Sequence, residues 1–352
     1  MKIHRYRGRV LILLALMLAA VLAPIGVSPA QAAGITEAYF VAPDNTLRRV
    51  IGGTNVDTGF LVRGGGGGPA VVRHPGNGLV EAIFADGNGV LRSVGTHTGA
   101  RLVAGGPGVK YYTKPAVASI GTKPVIAFHR SFDSHLVVVD ESDRMMDTGF
   151  VVQAGTSPAI TVEGPWRMVV FTNDADGHLW SFNWRETSSG RQTQRYKFGG
   201  GLGAAPASSP SIVAVTSTNT IGTFRANGTN TLFFVDRSGV GRAMRATVAN
   251  GTDPVITRQR NGEPVIVFQN AGDNLLWSLK PETGVFKRLG NGLGIDHTST
   301  PAIAPGVSEN GFALVFNANQ VNTFWTVDDA AGTQKNHGFI VRPGSTPGVA
   351  GK

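Results

Sequence analysis

The chain has 352 residues, a formal net charge of +9 and no cysteine. The lack of cysteine excludes a disulfide scaffold, a thiolate zinc site and a lipid-anchored cysteine, so packing and hydrogen bonds must supply the stability. Without Lys2, Arg5, Arg7 and Arg9 the excess falls to +5, and no basic run has the density of a nucleic-acid-binding stripe.

In chain order, residues 1–33 read as a secretory signal peptide, with those four cations, an apolar run from Val10 to about Val27, and small residues around Ala32 and Ala33 for cleavage. Pro24, Gly26 and Pro29 break the run before the ~20 residues that a spanning helix needs. The expected mature protein, residues 34–352, is therefore secreted and has no membrane span. Its abundant Gly, Thr, Val, Asn and Ser, with no sustained helical spacing of apolar residues, favour short strands joined by tight turns.

A repeat then organises the chain. A small or polar residue, proline and an apolar or small pair recur at Pro69, Pro115, Pro158, Pro210, Pro254, Pro301 and Pro347, at intervals of 46, 43, 52, 44, 47 and 46 residues. Each of the first six prolines is followed by an apolar run ending in Phe84, Phe128, Phe171, Phe224, Phe268 or Phe316. A turn such as Asp86-Gly87-Asn88-Gly89 comes next, and then Leu91, Leu136, Leu179, Leu232, Leu276 or Phe324. This order of phenylalanine, turn and leucine predicts a β-hairpin.

The second strands, for example Pro264-Val265-Ile266-Val267-Phe268, are apolar throughout and so must be buried on both faces, as in a sheet held between two neighbouring sheets. Glu37-Ala38-Tyr39-Phe40-Val41, a turn at Pro43-Asp44-Asn45, and Leu47 reproduce the second and third strands of a repeat that lacks its proline. The segment around Pro347 supplies it. The expected fold is all-β: a seven-bladed β-propeller of four-stranded antiparallel blades, closed by pairing N-terminal strands with the C-terminal one. The blades fall at about 69–114, 115–157, 158–209, 210–253, 254–300, 301–346, and 347–352 with 34–68. Six blades with flanking tails is the rival count, and it leaves repeat-like sequence in both tails without a purpose.

Catalytic signatures are missing from the sequence. The eight histidines are scattered, the glycine run 64–68 leads into a strand without a Lys-Ser/Thr, and no Gly-x-Ser-x-Gly elbow occurs. Asn173-Asp174-Ala175-Asp176-Gly177 sits where other repeats have a plain turn, and it lacks the distal glutamate of a calcium loop. Glu37, Glu81, Glu163, Glu263 and Glu309 occupy unequal repeat positions, so sequence alone pairs none of them as a glycosidase dyad. No catalytic residue, metal or cofactor is expected.

The stretches Asp176-Gly177-His178-Leu179-Trp180, Asp273-Asn274-Leu275-Leu276-Trp277 and Asn322-Thr323-Phe324-Trp325, with glycine-rich loops before the next proline, resemble the bacterial PLL-like lectin family of β-propellers. The resemblance covers residues 35–351 at the level of the repeat. It implies a seven-bladed ring and the binding of sugars, such as fucose-type glycans, in pockets between blades. The tryptophan is kept in three blades and replaced by Arg48, Arg92, Val137 and Phe233 elsewhere.

The carbohydrate-binding candidates are Trp180, Trp277, Trp325, Trp184, Arg185 and Trp166, since an aromatic face can cover the C–H side of a pyranose. Trp184 and Arg185, off the repeat pattern beside a polar stretch, are expected to be exposed, and Trp166 to be a loop aromatic. Leu and Trp are adjacent in each strand and must point to opposite faces, so the three repeat tryptophans also suit packing between blades. The expected partners are glycans or cell-surface polysaccharide, with no nucleic acid. A secreted scaffold binding protein or cell wall, or a glycan-active hydrolase or lyase, are the alternatives.

Overall fold

The computed structural model describes residues 37–351 apart from 66, 97–98, 217–218, 237 and 320; the expected signal peptide lies outside these residues. Strands starting at Ala70, Ala116, Ala159, Ser211, Val255 and Ala302 open blades 1 to 6, each directly after its anchor proline. A missing N–H costs least at that point of a strand. Blade 7 takes Gly348–Ala350 as its first strand and Glu37–Val41, Thr46–Ile51 and Thr54–Leu61 as the other three. All seven sheets have four antiparallel strands, and the protein is a β-propeller.

In blade 7, Gly348 pairs with Tyr39, Val349 with Ala38 and Ala350 with Glu37. First strands touch first strands in cyclic order, and that of blade 7 meets those of both blade 6 and blade 1. Pairing the two distant segments covers edges that would otherwise be open to other chains.

The core is divided into seven clusters, one in each gap between blades. Each gap receives one phenylalanine from the end of a second strand: Phe40, Phe84, Phe128, Phe171, Phe224, Phe268 and Phe316 are all at most 1% exposed. These rings face the preceding blade, and Leu91, Leu136, Leu179, Leu232 and Leu276 face the following one. The middle strands are thus buried on both sides, as their unbroken apolar sequence requires. Each buried ring or leucine contributes roughly 1.5–3 kcal/mol.

The residue before each proline links one blade to the next around the axis. The backbone N–H of Lys114 donates to Ser157 Oγ (2.8 Å), Ser157 to Ser209 Oγ (3.0 Å), and Ser209 to Asp253 Oδ1 (2.9 Å). Asp253 donates to Thr300 Oγ1 (3.3 Å) and Thr300 to Thr346 Oγ1 (3.2 Å). Thr346 donates to the Gly67 carbonyl (3.3 Å), because Gly68 has no side chain to accept. Gly68 is required there: its φ is +90° and an added Cβ would lie 2.0 Å from Thr346 O.

Two local devices shape the outer strands. In Asp57-Thr58-Gly59-Phe60, Asp147-Thr148-Gly149-Phe150 and Asn336-His337-Gly338-Phe339 the first side chain accepts the glycine N–H at 2.8 Å. Each of these strands carries a register shift against its partner, and the phenylalanine then packs into the next gap. Blade 3 instead has a lengthened outer hairpin. Its third and fourth strands, Leu179–Thr187 and Gly190–Lys197, have nine and eight residues, against five and seven for His135–Val139 and Met145–Val151 of blade 2. That hairpin accounts for the single interval of 52 residues.

Candidate functional site

Trp180, Trp277 and Trp325 occupy the same place in blades 3, 5 and 6, on the third strand opposite Phe171, Phe268 and Phe316. Each is half-buried and turned toward the preceding blade. The turn before the strand fixes two of the rings. Trp180 Nε1 donates to Asp176 at 3.1 Å and Trp277 Nε1 to Asp273 at 3.0 Å. Trp325 has Val321 four residues earlier and uses Thr323 Oγ1 instead, at 2.9 Å. An indole N–H can only donate, so these acceptors hold the ring plane and leave one face for contacts.

What lies over that face differs. Trp180 is covered by Phe150 of blade 2, with centroids 5.7 Å apart, and Lys197 Nζ stands 5.6 Å from its centroid. Lys197 also reaches Asp176 (3.2 Å) and His178 Nδ1 (2.9 Å). Burial pushes the Asp176 carboxyl up, but hydrogen bonds from the His178 N–H, Trp180 and Lys197 outweigh it, and the group ionises below the usual carboxylate range.

Around Trp277 the register places Ala246 of blade 4 where blade 2 has Phe150. With no ring there, a groove of about 460 Å³ opens, walled by Trp277, Phe286, Phe268 and Met244, with Arg245 and Asn270 as polar groups. An apolar cleft with a few convergent polar groups is the usual form of a small-molecule site.

The other candidates do not join this groove. Trp184 is not exposed: its accessibility is 0%, and it packs with Phe182 in the gap between blades 2 and 3. The lengthened third strand carries it in phase with Trp180 and Phe182, so it points inward and not off a strand end. Trp166 is not in a loop but begins the second strand of blade 3. The Arg185 guanidinium lies 4.7 Å from its ring centroid and donates to Gln192 Oε1. This pair sits on the same hairpin as Trp184, far along the strands from Trp180.

Sequence reasoning missed Met244, Arg245, Ala246 and Asn270. Blade 4 keeps the same register shift in its outer strand but has Ala246 in place of the phenylalanine, so the missing ring shows only once the strands are aligned by register.

Three of the glutamates are already engaged in ion pairs. Glu37 pairs with Arg49 (2.6 Å), Glu81 with His74 (3.0 Å) and Arg101, and Glu263 with Lys280 (2.7 Å). Among the described residues three metal-capable side chains, Asp133, His135 and Asp147, come together, and Arg130 donates to both carboxylates and offsets part of their charge. At the axis the anchor loops line a cavity of about 640 Å³ in which, among the described residues, Asp253 is the one carboxylate of the lining.

No protein-family model matches the chain, and no curated protein matches it. Solved structures do. The fucose-specific lectin from Aleuria aurantia superposes with a TM-score of 0.51 at 12% identity, covering 78% of this chain and 95% of that one. Another structure of this lectin, described as a six-bladed β-propeller with a novel fucose recognition mode, gives 0.50 at 12% identity, over 78% and 95%. A puromycin hydrolase mutant gives 0.51 at 14% identity over 90% of this chain and 55% of its own. At these identities the likeness is one of fold.

Proposed function

We propose that this protein is a secreted, non-catalytic, carbohydrate-binding propeller that takes sugars between its blades, the Trp277 groove being the working site. One observation carries this reading: a tryptophan oriented by Asp273 faces an open groove where the equivalent Trp180 is covered. The indole offers a flat face to the C–H side of a pyranose, and Arg245 and Asn270 are placed for its hydroxyls. The fucose-specific lectin from Aleuria aurantia shares the architecture, and fucose-type glycans are the first ligands to test. A two-carboxylate hydrolysis needs a second acid beside Asp253 at the axis, and among the described residues the cavity lining supplies none.

A single ring stacking on a sugar gives weak binding, about 1–3 kcal/mol by analogy with bases stacked on aromatics. Avidity then comes from displaying several copies on a polyvalent surface. The test is a glycan array with multivalently displayed protein, alongside Ala246→Phe. Binding that disappears in this variant supports the reading; no glycan bound by folded wild type, or unchanged binding in Ala246→Phe, sinks it.

A further inference from the structure

Blade 2 is entered by a loop that departs from the other repeats at three points, all at one corner of the axial cavity. Three residues before the proline, blades 3, 5 and 7 have Gly155, Gly251 and Gly344, with φ of +76°, +80° and +73°, and blade 4 has the small Ala207 at +57°. Blade 2 has Tyr112, at φ +62°. A bulky L residue enters this left-handed region only at a cost, and such strain collects at functional positions. Core packing does not offset it, since Tyr112 is 66% exposed.

The residue before the proline is the second departure. Ser157, Ser209, Asp253, Thr300 and Thr346 each accept a neighbouring backbone N–H, whereas blade 2 has Lys114, which cannot accept. The axial ring of hydrogen bonds is therefore open between blades 1 and 2. The Lys114 side chain lines the cavity, and its ammonium has no hydrogen-bond partner among the described residues. Burial pushes that ammonium down to about 8, only partly offset by Asp253.

Third, the glycine run makes room for both. A Cβ at Gly65 would lie 2.8 Å from the rings of Tyr111 and Tyr112, and one at Gly67 would lie 2.7 Å from Lys114 Cβ. The run serves close packing around this corner.

We propose that the axial cavity binds a small carboxylate-bearing sugar of the hexuronate class, with Lys114 on the carboxylate and Tyr112 over the ring face. The hydroxyls of Ser157 and Thr346, whose oxygens already accept backbone bonds, donate to the sugar, and Asp253 accepts from it. At about 640 Å³ the cavity is of the size that encloses a monosaccharide. This site is separate from the Trp277 groove and does not rest on the reading of that groove.

The experiment titrates glucuronate into the full chain by calorimetry, with glucose and acetate as controls. Glucuronate is expected to bind, with glucose and acetate at least about tenfold weaker. Lys114→Ser restores the acceptor used by the other blades and Tyr112→Gly relieves the backbone. Both are expected to weaken glucuronate at least about tenfold while raising the midpoint of thermal unfolding. No glucuronate binding, affinity unchanged in Lys114→Ser, or acetate binding as tightly as glucuronate would each overturn the proposal. Lower unfolding midpoints in both variants would do so too, by showing that the two side chains serve packing.

Discussion

The gap before blade 3 and the gap before blade 5 carry the same aspartate-to-tryptophan anchor, yet one is filled and the other is a groove of about 460 Å³. The difference lies on the facing blade, where Phe150 in one gap is replaced by Ala246 in the other. A repeat can thus keep its framework and switch a position between a filled gap and an open groove by changing one residue across the gap. Phe233 of blade 4, which replaces the tryptophan and stacks on Phe224, is a further packing version of the same position.

The largest expected effect is on stability. Trp180→Ala should cost about 3–5 kcal/mol, because Phe150 and Lys197 enclose the ring, whereas Trp277→Ala, with a face already open, should cost about half of that. Denaturant unfolding of the two variants checks this, and equal losses would erase the distinction between the gaps.

Exchanging the covering residue comes next. Phe150→Ala should cost about 3 kcal/mol and open a second groove beside Trp180, while Ala246→Phe should close the first with a change of about 1–2 kcal/mol from crowding. Crystal structures of the two variants, or quenching of tryptophan fluorescence, read the exchange directly. Asp273→Ala removes the acceptor of the Trp277 N–H and should cost about 1 kcal/mol, with weaker glycan binding from a freed ring.

The smallest effect is one of pH. The folded Asp176 carboxyl ionises below its ordinary value of 3.8. Its contribution is therefore fully present above that value and is lost as pH falls through the lower folded one. Thermal midpoints followed from pH 5 to pH 2 should decline less in Asp176→Asn than in wild type.

The blades were legible in the sequence because their signals are local: proline at a strand start, an apolar run ending in phenylalanine, a turn, then leucine. The groove was not, because its defining residue is an alanine about thirty positions upstream of Trp277, significant only once the register shows which side chains face across the gap. Trp184 was misread for a related reason. A longer hairpin keeps the alternation going, and polar neighbours on the opposite face suggested exposure for a residue that the pleat turns inward.

The ladder between Tyr39 and Gly348 also constrains how the chain folds. Its contacts have the longest sequence separation of any strand pairing among the described residues, so little favours them until the intervening sheets have brought their partners close. Blades 1 to 6, made of local hairpins, can assemble early, leaving Glu37–Val41 with one side unpaired until Gly348–Ala350 docks. A late, slow kinetic phase is the expected signature, and deleting that three-residue strand would leave an aggregation-prone intermediate as the end point.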